Sequence, residues 1–115
     1  MSFSEFETKR CEKLVSQFVE RRRPPTHLRV QTDLAFRVRG QSVEIFELRA
    51  DWHDASYMRE YPLAKATYIK QRKAWKVFCS RSDLKWHLYR GASEVGSLEE
   101  FLDLLEEDPN ACFFG

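Results

Sequence analysis

The chain has 115 residues and a mass of 13.7 kDa, room for one domain around one core over residues 1–115. Hydrophobic residues at 43%, charged residues at 32% and aromatics at 14% exclude a disordered chain and supply the bulk for a packed interior. No apolar run approaches the about 20 residues that span a bilayer, and the opening does not read as a signal peptide, so a cytoplasmic protein without membrane contact is expected.

The first element is a helix. Ser4-Glu5-Phe6-Glu7 forms a capping box, and Ser2 with Glu5 offers the same device one register earlier. Cys11, Leu14, Val15 and Phe18 follow a helical stripe that Phe6 and Val19 widen. Arg21-Arg22-Arg23 suits the negative end of the helix dipole, and Pro24-Pro25 stops it.

From Leu28 to Arg39 apolar and polar residues alternate, as in a long strand with one buried side. Gly40-Gln41 turns the chain into a second strand, Ser42 to Arg49, setting Val38 opposite Val43 and Phe36 opposite Ile45. The polarity inverts after Ile45. A bulge at Ile45-Phe46 restores it by pairing Ala35 with Glu47, Leu34 with Leu48 and Asp33 with Arg49. Salt bridges Asp33–Arg49 and Glu44–Arg37 then follow.

Ala50 to Leu63 carries no period over its 14 residues and reads as a long binding loop or crossover. A meander of three strands follows, near Lys65–Gln71, Trp75–Ser80 and Leu84–Tyr89, with Val77 meeting Trp86, Trp75 meeting Leu88 and Cys79 meeting Leu84 on the core side. Ser97-Leu98-Glu99-Glu100 opens a second helix on a second capping box, striped by Leu98, Phe101, Leu102 and Leu105 and ended at Asp108-Pro109. The apolar tail Ala111 to Gly115 is expected to pack on the body or on a second subunit. The sum is an α+β fold: a five-stranded antiparallel sheet, hairpin plus meander, with the two terminal helices on one face.

The chain resembles a bacterial family of unknown function, DUF3024. The resemblance runs through Ser4 to Glu7, Arg21 to Pro25, Gln41 to Glu47, Ala64-Lys65-Ala66-Thr67-Tyr68, Trp75-Lys76-Val77, Leu84 to His87, Val95 to Phe101 and the ending Cys112-Phe113-Phe114-Gly115. It implies a stand-alone intracellular bacterial domain. No activity, substrate or site comes with it.

The charge is uneven. From Ala92 onward there are seven acidic residues and no Lys or Arg, leaving 19 basic against 11 acidic groups before it. An acidic C-terminal element therefore lies against a basic body or masks a surface for polyanions. The open sheet face is expected to be basic, with Arg29, Arg37, Arg39, Lys76, Lys85 and His87, interleaved with Phe78 and Tyr89 and joined by Arg21, Arg22 and Arg23 at the helix exit. Such a face suits nucleic acid or an acidic protein. Neither an RNP, KH nor helix-turn-helix signature is present.

Enzymatic readings are weaker. With the bulge, Asp33 and Glu47 share a face, Arg49 is adjacent and Lys65 is near, a pattern suited to a divalent metal and phosphodiester hydrolysis. Restriction-endonuclease-like folds use Glu-x-Lys, whereas Glu47-Leu48-Arg49 carries an arginine that cannot shuttle a proton. Asp51-Trp52-His53-Asp54 offers His53 for acid–base work and Trp52 for binding, but such clusters are mostly turn-formers. Cys11, Cys79 and Cys112 are odd in number and lack a CxxC pair, which suits a reducing compartment and leaves a Cys11–Cys112 contact open. Neither a metal nor a cofactor is expected. The favoured reading is a non-enzymatic binding module, the alternative a metal-dependent hydrolase using Asp33 and Glu47. A homodimer through the tail or an edge strand is a further expectation.

Overall fold

The computed structural model describes residues 3–108 and 113. Ser2, Pro109, Cys112 and the rest of the expected tail apart from Phe113 lie outside the described residues, as do the earlier capping register and the Cys11–Cys112 contact.

Helix α1 spans Glu5–Arg22. The Ser4 hydroxyl accepts the Glu7 N–H at 3.2 Å, and the Glu7 carboxylate accepts the Ser4 N–H at 3.0 Å, closing the expected box. Cys11, Val15, Phe18 and Val19 are buried, whereas Phe6 is 79% exposed and does not widen the stripe. At about 100° per residue it stands roughly 140° round the helix from Cys11, off the buried stripe. Helix α2 spans Leu98–Glu107, capped by the Ser97 hydroxyl, which accepts the Glu100 N–H at 3.1 Å. Its capping box is only half formed, because the Glu100 carboxylate accepts the Gly96 N–H instead.

The sheet is antiparallel throughout, with strands β1 (Thr32–Arg39), β2 (Ser42–Ala50), β3 (Met58–Ile69), β4 (Ala74–Ser80) and β5 (Trp86–Leu88) in sequential order, and β6 (Glu94–Val95) beside β4. The core lies on one face only: Leu34, Val43, Ile45, Ala64, Ala66, Trp75 and Val77 meet Phe18, Phe101 and Leu105 from the helices. The α+β architecture with both helices on one side matches expectation.

Four local expectations are corrected. The first strand begins at Thr32, not Leu28, because Thr26–Leu28 forms a 3₁₀ turn that carries the chain from α1 to the sheet, leaving Leu28 and Val30 exposed. The bulge lies between β2 and β3, not between β1 and β2. The β1–β2 ladder is regular from Arg39↔Ser42 to Thr32↔Arg49, so Asp33 faces Leu48 and Leu34 faces Glu47. In the β2–β3 ladder Ile45 faces Ala64 and Phe46 faces Pro62, leaving Leu63 as the extra residue. Proline has no N–H to give a ladder, and strands bulge where one is tolerated.

That bulge also explains the missing period, since β3 begins at Met58 and the expected 14-residue loop shrinks to residues 51–57. Finally, β5 pairs Ser80 with Trp86, Cys79 with His87 and Phe78 with Leu88. Leu84, at φ 59°, belongs to the turn and cannot start the strand, so the faces are the reverse of those expected. Tyr89 is buried against Phe113, with ring centroids 4.9 Å apart.

The packing makes a stability test. Phe18→Ala should cost about 3–5 kcal/mol in urea unfolding, whereas Phe6→Ala should stay within about 0.5 kcal/mol of the parent. Equal effects would contradict the placement of α1.

Candidate functional site

Because strand side chains alternate, the register fixes what the helix-free face displays. One row across five strands reads Arg37, Glu44, Lys65, Phe78 and Leu88. Beside it lie Ala35, Phe46 and Pro62, then Ser80 and Trp86, and on the other side Arg39, Ser42, Thr67 and Lys76. The face is half apolar and carries three aromatic rings.

Cations lie over those rings. The Arg37 guanidinium sits 4.3 Å from the centroid of Phe46 and pairs with Glu60, not with Glu44 across the ladder. Its Nε is buried without a hydrogen-bond partner among the described residues. The Lys65 ammonium lies 4.7 Å from the Phe78 centroid and 5.2 Å from that of Trp86. These separations fall within cation–π reach. Acids share the face: Glu44 stands between Arg37 and Lys65 in the row, and Glu94, opposite Lys76, pairs with Arg72. The face therefore mixes acids among its cations and is not the wholly basic surface the sequence suggested.

Most of the other expected binding residues are engaged elsewhere. Arg21 and Arg22 reach Glu106 of α2 at 3.6 and 3.0 Å, and Arg10 reaches Glu99 at 2.8 Å, so the acidic C-terminal helix lies against the basic one. Arg23 makes a two-pronged pair with Asp33 at 2.9 and 2.8 Å and also meets Glu20. Arg29 Nε donates to the Pro24 carbonyl. Arg39 and Lys85 are exposed. His87, in register with Cys79 on the helix side, contacts Asp83 at 2.9 Å.

Trp52 is 87% exposed on a loop that Asp51 and Asp54 hold. Asp51 accepts the His53 N–H at 2.8 Å and Arg59 Nε at 3.0 Å, and Asp54 accepts the Ser56 hydroxyl at 2.6 Å. The ring of Trp52 lies 3.6 Å from that of His53, the planes tilted by 35°. The hydrogen bonds from His53 and Arg59 keep the Asp51 carboxyl below its ordinary range, in that order of importance. His53 thus belongs to a turn.

The hydrolase constellation is not assembled. The register pairs Asp33 with Leu48 and Glu47 with Leu34, so the two carboxylates are not cross-strand neighbours on one face, and Lys65 pairs with Glu44 and Phe78. A depression of about 210 Å³ touches both carboxylate-bearing residues, yet Asp33 is held by Arg23 and Glu47 by Arg49. Among the described residues no group of three or more His, Cys, Asp or Glu could hold a metal ion. Sequence reasoning missed Phe46, Trp86 and Leu88, which it had placed toward the core. Pro62 inside a strand was the available signal for the bulge.

The Arg23 guanidinium keeps the Asp33 carboxyl below the usual aspartate range, helped by the Leu34 N–H. A depressed folded-state value contributes stability above the unfolded value near about 4 and loses it as pH falls through the folded value. Asp33→Asn should lower the urea midpoint by roughly 1 M at pH 7, and the gap should close as pH falls below about 4. A gap that persists undiminished at pH 2 would exclude the ion pair as its source.

Comparison with known proteins gives one match: the family model described as Domain of unknown function (DUF3024) covers residues 3–115. No curated protein matches the chain, and no solved structure does.

Proposed function

The chain belongs to DUF3024, a family defined without an activity, and from its own surface we propose that it is a non-enzymatic binding module whose open sheet face takes single-stranded nucleic acid. The observation that carries this reading is the set of aromatic rings with cations over them, Phe46 under Arg37, and Phe78 and Trp86 under Lys65, on the one sheet face without helices. Unpaired bases stack on such rings and on guanidinium planes, while cations beside them meet phosphates.

The balance of charge sets what kind of binding follows. Arg37, Arg39, Lys65 and Lys76 stand against Glu44, Glu60 and Glu94 on this face. At about 0.7 released counterions per phosphate contact on single strands, four cations give a salt slope of about −3 or shallower. Stacking therefore supplies the greater share, at about 1–3 kcal/mol per base, and duplex is disfavoured because its bases are not free. The setting proposed is the bacterial cytoplasm. For the described residues, no helix is long and apolar enough to cross a membrane.

Anisotropy of labelled single-stranded RNA and DNA tests the reading. Trp86→Leu and Arg37→Ala should each weaken binding about 5- to 100-fold, and Arg21→Ala, whose partner is Glu106, should change it less than about twofold. The bound strand should stay intact with Mg²⁺ or Mn²⁺. Parent-like binding by both face variants, or cleavage abolished by Glu47→Ala, would overturn the proposal.

A further inference from the structure

Away from the open face, the helix side of the sheet ends in a cavity of about 250 Å³ where the N-terminal segment, β3, β4 and the start of α2 meet. The Phe3 N–H donates to the Gly40 carbonyl and fixes the segment there. Three rings form part of the wall: Tyr68 and Trp75 lie 5.1 Å apart, Phe3 and Trp75 5.7 Å, and Phe3 and Tyr68 6.3 Å, with planes tilted by 44° to 54°. The three tilted rings pack on one another and together line this one space.

The charged part of the wall is Glu7, Arg10 and Glu99, with Ser97 beside them. Arg10 is neutralised by Glu99 at 2.8 Å, and Glu7, whose carboxylate also feels Lys70, is the remaining charge of the wall itself. Hydrogen bonds from the Ser4 backbone and hydroxyl side keep the Glu7 carboxyl below its ordinary range, so it is anionic at neutral pH. The start of α2 adds a positive dipole end, but Glu99 and Glu100 occupy that first turn and offset it. An aromatic lining and two carboxylates against one guanidinium in the wall both favour a cation. The cavity lies below the about 300–1,000 Å³ of pockets for drug-sized ligands, and among the described residues the oxygen donors for a metal ion are not grouped.

We propose that the Phe3–Tyr68–Trp75 cavity binds an alkylated ammonium group, held over the rings and countered by Glu7. Cation–π attraction supplies the specificity for charge, acting within about 6 Å of a ring centroid. A methylated lysine side chain and a small quaternary ammonium compound share this chemistry, and the size of the cavity admits the head group of either.

The test is an NMR titration of the full chain following the Trp75 indole N–H and the Gly96 amide. The probes are choline, a trimethyllysine peptide with its unmethylated counterpart, and uncharged 3,3-dimethylbutan-1-ol, which has the shape of choline without the charge. Saturable shifts are expected with choline, the methylated peptide or both. Binding to the peptide alone assigns the site to a modified protein, and binding to choline alone to a free metabolite. The uncharged alcohol should bind at least about fivefold more weakly than choline. Glu7→Gln keeps the capping box, since glutamine serves at that position, and should weaken the cation about fivefold without moving the melting curve. Tyr68→Leu should weaken it similarly. Equal affinity for choline and the alcohol, parent-like affinity of Glu7→Gln, or no saturable shift up to about 50 mM probe would overturn the proposal.

Discussion

Pro62 brings no N–H to the ladder, and the open face depends on how β3 accommodates that. Glu60 and Lys65 are five positions apart, so in a regular strand they would project from opposite faces. The extra residue at Leu63 puts both on the helix-free face, where Glu60 pairs with Arg37 and Lys65 covers Phe78 and Trp86. The same step keeps Ala64 and Ala66 in the core and sets Tyr61 beside Glu47 on that same helix side. One irregularity in the middle strand thus serves both the interior and the outer surface.

The helices solve a different problem, that of the uneven charge. The acidic C-terminal stretch becomes α2 and lies beside α1, where Glu99 meets Arg10 and Glu106 meets Arg21 and Arg22. Exposed pairs of this kind stabilise weakly, about 0–1 kcal/mol each. Their effect is on placement: they occupy cations that an unpaired α1 would offer to polyanions, and the cations left on the open face stand among acids. Burial of Phe18, Phe101 and Leu105 against Val43, Ile45 and Val77 holds the helices down.

Legibility in the sequence tracked the range of the interaction. Helix starts were readable because Ser4 and Ser97 act on residues three positions away, and the Gly40 hairpin because its turn fixes the register as far as Ile45. Alternation in β2 alone does not locate the bulge, since it fits an extra residue on either neighbour, and Pro62, which marks the place, stands in a stretch without a period. The β4–β5 register depended on Leu84 adopting a left-handed conformation, which nothing in its side chain announces. Those two ambiguities governed the candidate site. They moved Asp33 away from Glu47, turned His87 and Tyr89 inward and brought Phe46 and Trp86 out.

The segment between β2 and β3 displays Trp52 from a backbone already tied down through Asp51 and Asp54. A surface that meets this indole has almost no main-chain entropy left to remove. Only the rotamer of one large side chain must be frozen, a penalty of about 0.5–1.5 kcal/mol. The arrangement works like a preset latch, in which rigidity is built in during folding and contact need not create it.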